Sequence, residues 1–247
     1  MSLNTILSYS PNFELKKRNL KQIKFIIFHY TGMKKESDAI NRLTNIQSKV
    51  SSHYLIKNNG EIVTLVPDLY IAWHAGVSSW QNFKSLNKNS IGIEISNPGH
   101  NFNYKTFSKK QIVSILRLSK FLIKEYKIDQ KNILGHSDIA PNRKKDPGEK
   151  FPWKYLSQNK IGLWHSVNKK KLTKNRSLKI KKIEKGHFFR NLYKIGYSKK
   201  IPKNFKKEGY LKIITKAFQR RFRQNLVNGE IDRECFIISK SLLKKYN

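Results

Sequence analysis

Three short stretches gather residue types that can do chemistry together. His29 is followed by Tyr30 and Thr31, Glu94 by Ser96 and Asn97, and Gly135 to Gly148 reads GHSDIAPNRKKDPG. Two imidazoles and one carboxylate bind zinc and leave a fourth position, where water is acidified to a pKa of about 7. His29, His136 and Asp146 are one such set. With seven histidines and sixteen acidic residues in the chain, many other triples are equally open, and spacing alone does not choose among them. The single cysteine, Cys235, excludes an intrachain disulfide and any multi-thiolate zinc site, so a metal would need His and carboxylate ligands.

The elements around these stretches predict where they sit. Ile23 to Tyr30 is continuously apolar and rich in β-branched and aromatic residues, which predicts a buried strand that delivers His29 at its end. Ser90 to Ser96 alternates Ile91, Ile93 and Ile95 with Gly92 and Glu94, so Glu94 faces away from the isoleucines. Ile133 and Leu134 form a short strand before His136. Ser37 to Val50 carries apolar residues at helical spacing, and Tyr54 to Lys57 with Glu61 to Val66 flank an Asn58-Asn59-Gly60 turn. Ser108 and Gln111 form a capping box ahead of an apolar stripe from Ile112 to Tyr126, the clearest helix in the chain.

Alternating strands and helices predict an α/β domain over residues 8–165, with a mixed central sheet flanked by helices. Residues 166–185 lose apolar periodicity and fill with Lys, Asn, Ser and Arg, the composition of a basic linker. Phe188 to Ile195, Tyr210 to Phe222 and Glu234 to Tyr246 then predict a small three-helix domain over residues 186–247.

The whole chain is strongly basic: 51 Lys and Arg against 16 Asp and Glu give a net charge of +35. Such a field favours polyanionic partners, namely nucleic acid, anionic membrane or carboxylate-rich cell wall. Lysines are spread along most of the sequence, without a recognisable nucleic-acid docking motif, so no specific nucleic acid is expected. There is no apolar run of about 18 residues, hence no membrane span. The stretch from Met1 to Asn12 lacks a signal-peptide pattern. A cytoplasmic location is expected as written, and the periplasm or cell envelope if a leader has been removed. A monomer is expected.

The stretches FHYT, AWHAG (Ala72 to Gly76), SIGIEISNPG (Ser90 to Gly99) and GHSDIAPNRKKDPG (Gly135 to Gly148) resemble, in order and spacing, the signatures of type 2 N-acetylmuramoyl-L-alanine amidases. The AmpD and AmiD group is the best match, and YSPNFELKKRN near the start is more similar to AmiD. The resemblance implies one zinc ion on His29, His136 and Asp146, Glu94 as acid or base, and a catalytic lysine at Lys144. It also implies peptidoglycan or muropeptide as substrate, cut between the muramyl lactyl group and L-alanine. Aspartate at position 146 favours the bacterial branch over relatives that use cysteine there.

On the same resemblance, His74, Trp73, Asn97 and Arg143 are candidate substrate contacts. His74 would line a groove beside Trp73 and Trp80, although Trp73 is equally open to a core role. Asp138 is either a partner that orients His136 or a turn residue. His53 and Cys235 read as scaffold. Residues from Tyr210 to Leu243 resemble the helical peptidoglycan-binding module of AmiD-like enzymes, with Asn228 where that module more often has Asp. The alternatives are a helical appendage that only stabilises the domain and, for the whole chain, a non-catalytic peptidoglycan-binding protein.

Overall fold

In the computed structural model, which describes residues 4–246, the chain opens with two short strands, β1 (Ile6–Leu7) and β2 (Phe13–Glu14). Met1 to Leu3, which open the stretch read for a signal-peptide pattern, lie outside the described residues. The apolar run forms β3 (Phe25–Phe28), and α1 (Glu36–Thr44) follows. This helix is shorter than its periodicity predicts: Asn45 leaves helical geometry and caps a separate 3₁₀ turn, accepting from the Gln47 N–H at 2.8 Å. The Asn-Asn-Gly turn joins β4 (Tyr54–Ile56) to β5 (Ile62–Thr64), as expected for a hairpin. Short strands β6 (Ile71–Ala72), β7 (Ser79–Trp80) and β8 (Phe83–Lys84) lead to β9 (Ser90–Ile95). The capping box then starts α2 (Lys109–Tyr126), with Gln111 N–H to Ser108 Oγ at 3.2 Å and Ser108 N–H to Gln111 Oε1 at 3.0 Å. Strand β10 (Ile133–Gly135) completes the sheet.

The main sheet has the order β1-β5-β4-β9-β3-β10, parallel except for the β4–β5 hairpin. Alternation along β3 explains its continuous hydrophobicity, because both of its faces are covered. Ile26 and Phe28 join Ile91, Ile93 and Ile133 in the core roofed by α2. Phe25 and Ile27 point to the other face and pack with Leu134 and Trp80. On that second face, α1 covers the β4–β5 side through Leu43, Leu55, Val63 and Leu65.

What covers the rest of the second face corrects the sequence reading. Beyond β10 the described residues hold six helices, not a small three-helix domain: α3 (His136–Ile139), α4 (Trp153–Gln158), α5 (Lys169–Asn175), α6 (Lys182–Ile195), α7 (Lys207–Phe222) and α8 (Arg233–Tyr246). The first two are too short to show a period. Helix α5 lies within the Lys-rich stretch and buries no residue, so it has no apolar stripe to read. It is started by Asn168, whose side chain accepts from the Lys171 N–H at 3.1 Å. Helix α6 begins six residues before Phe188, where Glu184 accepts from the Lys181 N–H at 2.8 Å. Phe188, Leu192, Ile214, Phe218 and Leu242 from α6, α7 and α8 share one core with Phe25, Ile27 and Leu134 of the sheet. The helices therefore wall this face of the sheet.

Candidate metal centre and active site

Register alone brings three of the candidate residues side by side. Gly135 pairs with Phe28, and Phe28 with Ile93. Carried one residue further along these parallel strands, the same register sets His136, His29 and Glu94 in a row, at steps of about 4.8 Å. Strand parity puts all three on the second face, where the covering layer is split between α1 and the C-terminal helices. Beside α1 on that face lies a cavity of about 540 Å³ lined by His29, His136, Asp146, Glu94 and Lys144.

His29, His136 and Asp146 are buried, and their donor atoms converge. The two Nδ1 atoms are 2.9 Å apart, and they lie 3.1 and 3.0 Å from Asp146 Oδ2. Protons cannot satisfy this triangle, since each ring nitrogen would have to serve the other ring and the carboxylate at once. A cation at its centre satisfies all three. Ligands about 2.0–2.1 Å from a tetrahedral zinc stand roughly 3.3 Å apart, close to the sides found here. The protonation states agree: burial, then the neighbouring His136, push His29 down to about 4, so its ring is neutral as a ligand must be. Burial alone would raise the Asp146 carboxyl, but His136 and His29 beside it outweigh that and hold it well below the usual range.

The AWHAG stretch serves as the backing of this site. With Nδ1 turned to the metal position, His29 Nε2 lies 3.0 Å from His74 Nδ1, and His136 Nε2 lies 3.2 Å from the Ala75 carbonyl. Each ligand ring thus has a fixed acceptor for its remaining N–H, which sets its tautomer and tilt. His74 is held in turn by Ser90 Oγ at 3.2 Å and packs flat on β9 over Gly92. A Cβ at position 92 would lie 2.4 Å from the imidazole, so the glycine there is a matter of space. His74 borders the cavity, and its contact with His29 is a feature that spacing did not reveal.

The other candidates are distributed as follows. Trp73 lines the cavity, whereas Trp80 is fully buried against Tyr197 and the C-terminal helices. Asn97 stands back from the wall: its Nδ2 donates to the Lys105 carbonyl at 2.9 Å and its Oδ1 accepts from the Gly99 N–H at 3.0 Å. Arg143 Nε donates to the Val77 carbonyl at 3.0 Å, and its NH2 also reaches the Ala75 carbonyl. His53 is scaffold, accepting from the Gly92 N–H at 3.0 Å. Asp138 accepts from the Gly135 N–H, Arg221 NH1 and the Tyr197 hydroxyl. Arg42, Met33 and Phe102 also line the cavity and went unread, because no motif surrounds them.

Among the described residues, Glu94 is the one carboxyl lining the cavity outside the metal cluster. It is pushed up to about 8 by burial first and by Asp146 second, against smaller opposing effects of Lys144 and Arg42. Its Oε2 is buried without a hydrogen-bond partner among the described residues.

Residues 19–149 match the profile of the N-acetylmuramoyl-L-alanine amidase family, Amidase_2. The chain is 35% identical to the N-acetylmuramoyl-L-alanine amidase AmiD of Escherichia coli K12, over 91% of this chain and 84% of that protein. It is 34% identical to the 1,6-anhydro-N-acetylmuramyl-L-alanine amidase AmpD of Haemophilus influenzae, over 61% of this chain and 90% of that one. Among solved structures, E. coli AmiD in complex with the substrate anhydro-N-acetylmuramic acid-L-Ala-D-gamma-Glu-L-Lys superposes with a TM-score of 0.78, covering 91% of this chain and 90% of that one. AmpDh3 of Pseudomonas aeruginosa, 29% identical, superposes over 100% of this chain and 98% of its own with the same TM-score, 0.78. AmiD and AmpDh3 thus match through the C-terminal helices, where the AmpD match covers only the smaller share. With the family profile spanning more than half of its length and a zinc site built from the residues that profile encloses, the chain belongs to the type 2 N-acetylmuramoyl-L-alanine amidases.

Proposed function

We propose that the protein is a zinc amidase that hydrolyses the bond between the lactyl group of N-acetylmuramic acid and L-alanine in peptidoglycan or its muropeptide fragments. The observation that carries this reading is the buried His29–His136–Asp146 triangle opening on a cavity that also holds Glu94 and Lys144. The structures of AmiD and AmpDh3 with anhydromuramyl peptides support the substrate class. Residues 8–165 are assigned the chemistry.

A zinc ion in this triangle supplies Lewis-acid activation of water and of the scissile carbonyl. The chain's own residues do the rest. Glu94 takes the proton of the attacking water and returns it to the departing L-alanine nitrogen. Its place in the cavity beside the metal cluster puts it within the site for both directions of transfer. Lys144, a donor with no acceptor capacity, is assigned to the carbonyl oxygen as negative charge develops there. His74 and the Ala75 carbonyl keep the two ligand rings turned towards Asp146.

Glu94→Ala in the full-length protein tests this assignment. Turnover of a muramyl peptide should fall at least ~100-fold while zinc content and the native fold are kept. Undiminished turnover removes Glu94 from the mechanism. A wild-type protein that binds wall but releases no peptide is instead a non-catalytic peptidoglycan-binding member of the fold.

A further inference from the structure

Asp138 lies two residues after the ligand His136, within the single-turn helix α3, and its partners come from far along the chain. Its Oδ2 accepts from the Gly135 N–H at 2.8 Å and from Arg221 NH1 at 2.7 Å. Its Oδ1 accepts from the Tyr197 hydroxyl at 2.8 Å. Arg221 sits on α7 and Tyr197 just after α6, so both belong to the C-terminal helices. Arg221 also donates to the Ile133 carbonyl of β10 at 2.8 Å, and its guanidinium lies 4.4 Å from the ring centre of Trp153. The Arg221 and Asp138 side chains are each only 1% exposed.

Stability alone is a weak reason for such a pair. Removing two charges from water costs several kcal/mol, and well-packed apolar residues in their place are often as stable or more so. What the pair does that apolar residues cannot is fix a direction. Asp138 ties the Gly135 N–H and the start of α3 to two donors on the C-terminal helices, and His136 lies within the span so tied. On its other side, the same turn is tied by the Ser137 N–H to the Asp146 carbonyl at 2.8 Å. The turn that carries one metal ligand is therefore held between the loop that carries another, Asp146, and the C-terminal helices.

We propose that Arg221 and Tyr197 are positioning residues for the zinc site: through Asp138 they orient the turn bearing His136, so zinc affinity depends on the C-terminal helices. The proposal rests on the zinc reading of the His29–His136–Asp146 cluster. It gives those helices a part in the metal centre beyond any contact they make with wall.

The test uses full-length protein, loaded with zinc and titrated against a chelator of known affinity well below the unfolding temperature. Arg221→Met keeps the stacking volume and removes the charge. Tyr197→Phe removes one hydroxyl and keeps the ring buried, so it remains informative should Arg221→Met fail to fold. Leu242→Ala, buried in the same core and with no polar side-chain group to offer Asp138, serves as a control for general destabilisation. Direct partners of ligand residues are worth about 10- to 100-fold in metal affinity. One step further out, Arg221→Met is expected at about tenfold, the lower end of that range, with a smaller loss in the same direction for Tyr197→Phe. Leu242→Ala should lower the thermal midpoint without weakening zinc. Wild-type zinc affinity in Tyr197→Phe and Arg221→Met, or equal weakening in Leu242→Ala at a matched drop in midpoint, overturns the proposal. Failure of the underlying reading looks different: wild-type protein would bind no stoichiometric zinc, or His136→Ala would bind it unchanged.

Discussion

Replacing Glu94 by glutamine should move activity and stability in opposite directions. In the folded metal-free protein the carboxyl titrates at about 8, against 4.5 for an ordinary glutamate. Between those values the folded state keeps a proton that the unfolded chain has released. The unfolded state therefore binds fewer protons, and wild-type stability falls as pH rises from 4.5 to 8. At about 1.4 kcal/mol per pH unit, the cost reaches roughly 3 kcal/mol by pH 7. Glutamine copies the shape of the protonated acid and does not titrate, so it is free of that cost. For a chain of this size, each kcal/mol corresponds to about 2–4 °C in midpoint, giving a gain on the order of 6–12 °C at pH 7 and little at pH 5. Calorimetry of the chelated wild type and Glu94→Gln at pH 5, 6, 7 and 8 measures it, while hydrolysis should fall about 10²- to 10⁴-fold. A stability difference that is flat across this range, or a wild type that is the more stable at pH 7, would refute the burial argument.

Lys144→Ala should lower kcat by about 10²–10³ with KM nearly unchanged, as loss of a donor used mainly in the transition state does; a rise in KM alone would place Lys144 in substrate binding. Acid should destabilise the metal-free Glu94→Gln protein, in which the opposing titration is gone. Burial lowers His29 and His165 to about 4, and His53 and His74 are lowered as well, so the unfolded chain takes up protons that the folded state refuses as pH falls from 6.5 towards 4. His29 alone contributes about 3 kcal/mol to this loss, and urea midpoints that stay constant over the window contradict it. Phe218→Ala removes a fully buried ring that packs on Phe188 and Phe222, and should cost about 3–5 kcal/mol. Because that ring shares a core with Phe25 and Ile27, the sheet and the helices should still melt in one transition; two resolved transitions would show separate units.

The chemistry of this protein is legible where it is carried by strand ends. Continuous hydrophobicity in Ile23 to Tyr30 and alternation in Ser90 to Ser96 predict the strands that set His29 and Glu94 in adjacent register. That the run is buried on both sides was readable; what buries the second side was not. The helices that do so share a core with the sheet through residues far apart in sequence, Phe188 and Phe218 with Phe25. Helix α5 is stabilised by its cap and by Arg176 pairing with the buried Glu234 at 2.7 Å, with no apolar face for a period to mark. Asp138 shows the same limit at the site, since its partners lie 59 and 83 residues away and no local pattern announces them. His74 was marked by its motif, but its role as the acceptor behind His29 follows only from the packing of its ring on Gly92.

The most direct test of the central claim is mass spectrometry of the products released from muramyl peptides by the protein as purified, after chelation, and after zinc is restored. The account predicts free peptide beginning with L-alanine, lost on chelation and regained with zinc. Release that persists without the metal, cleavage at another bond, or no cleavage of polymeric or soluble substrate contradicts it.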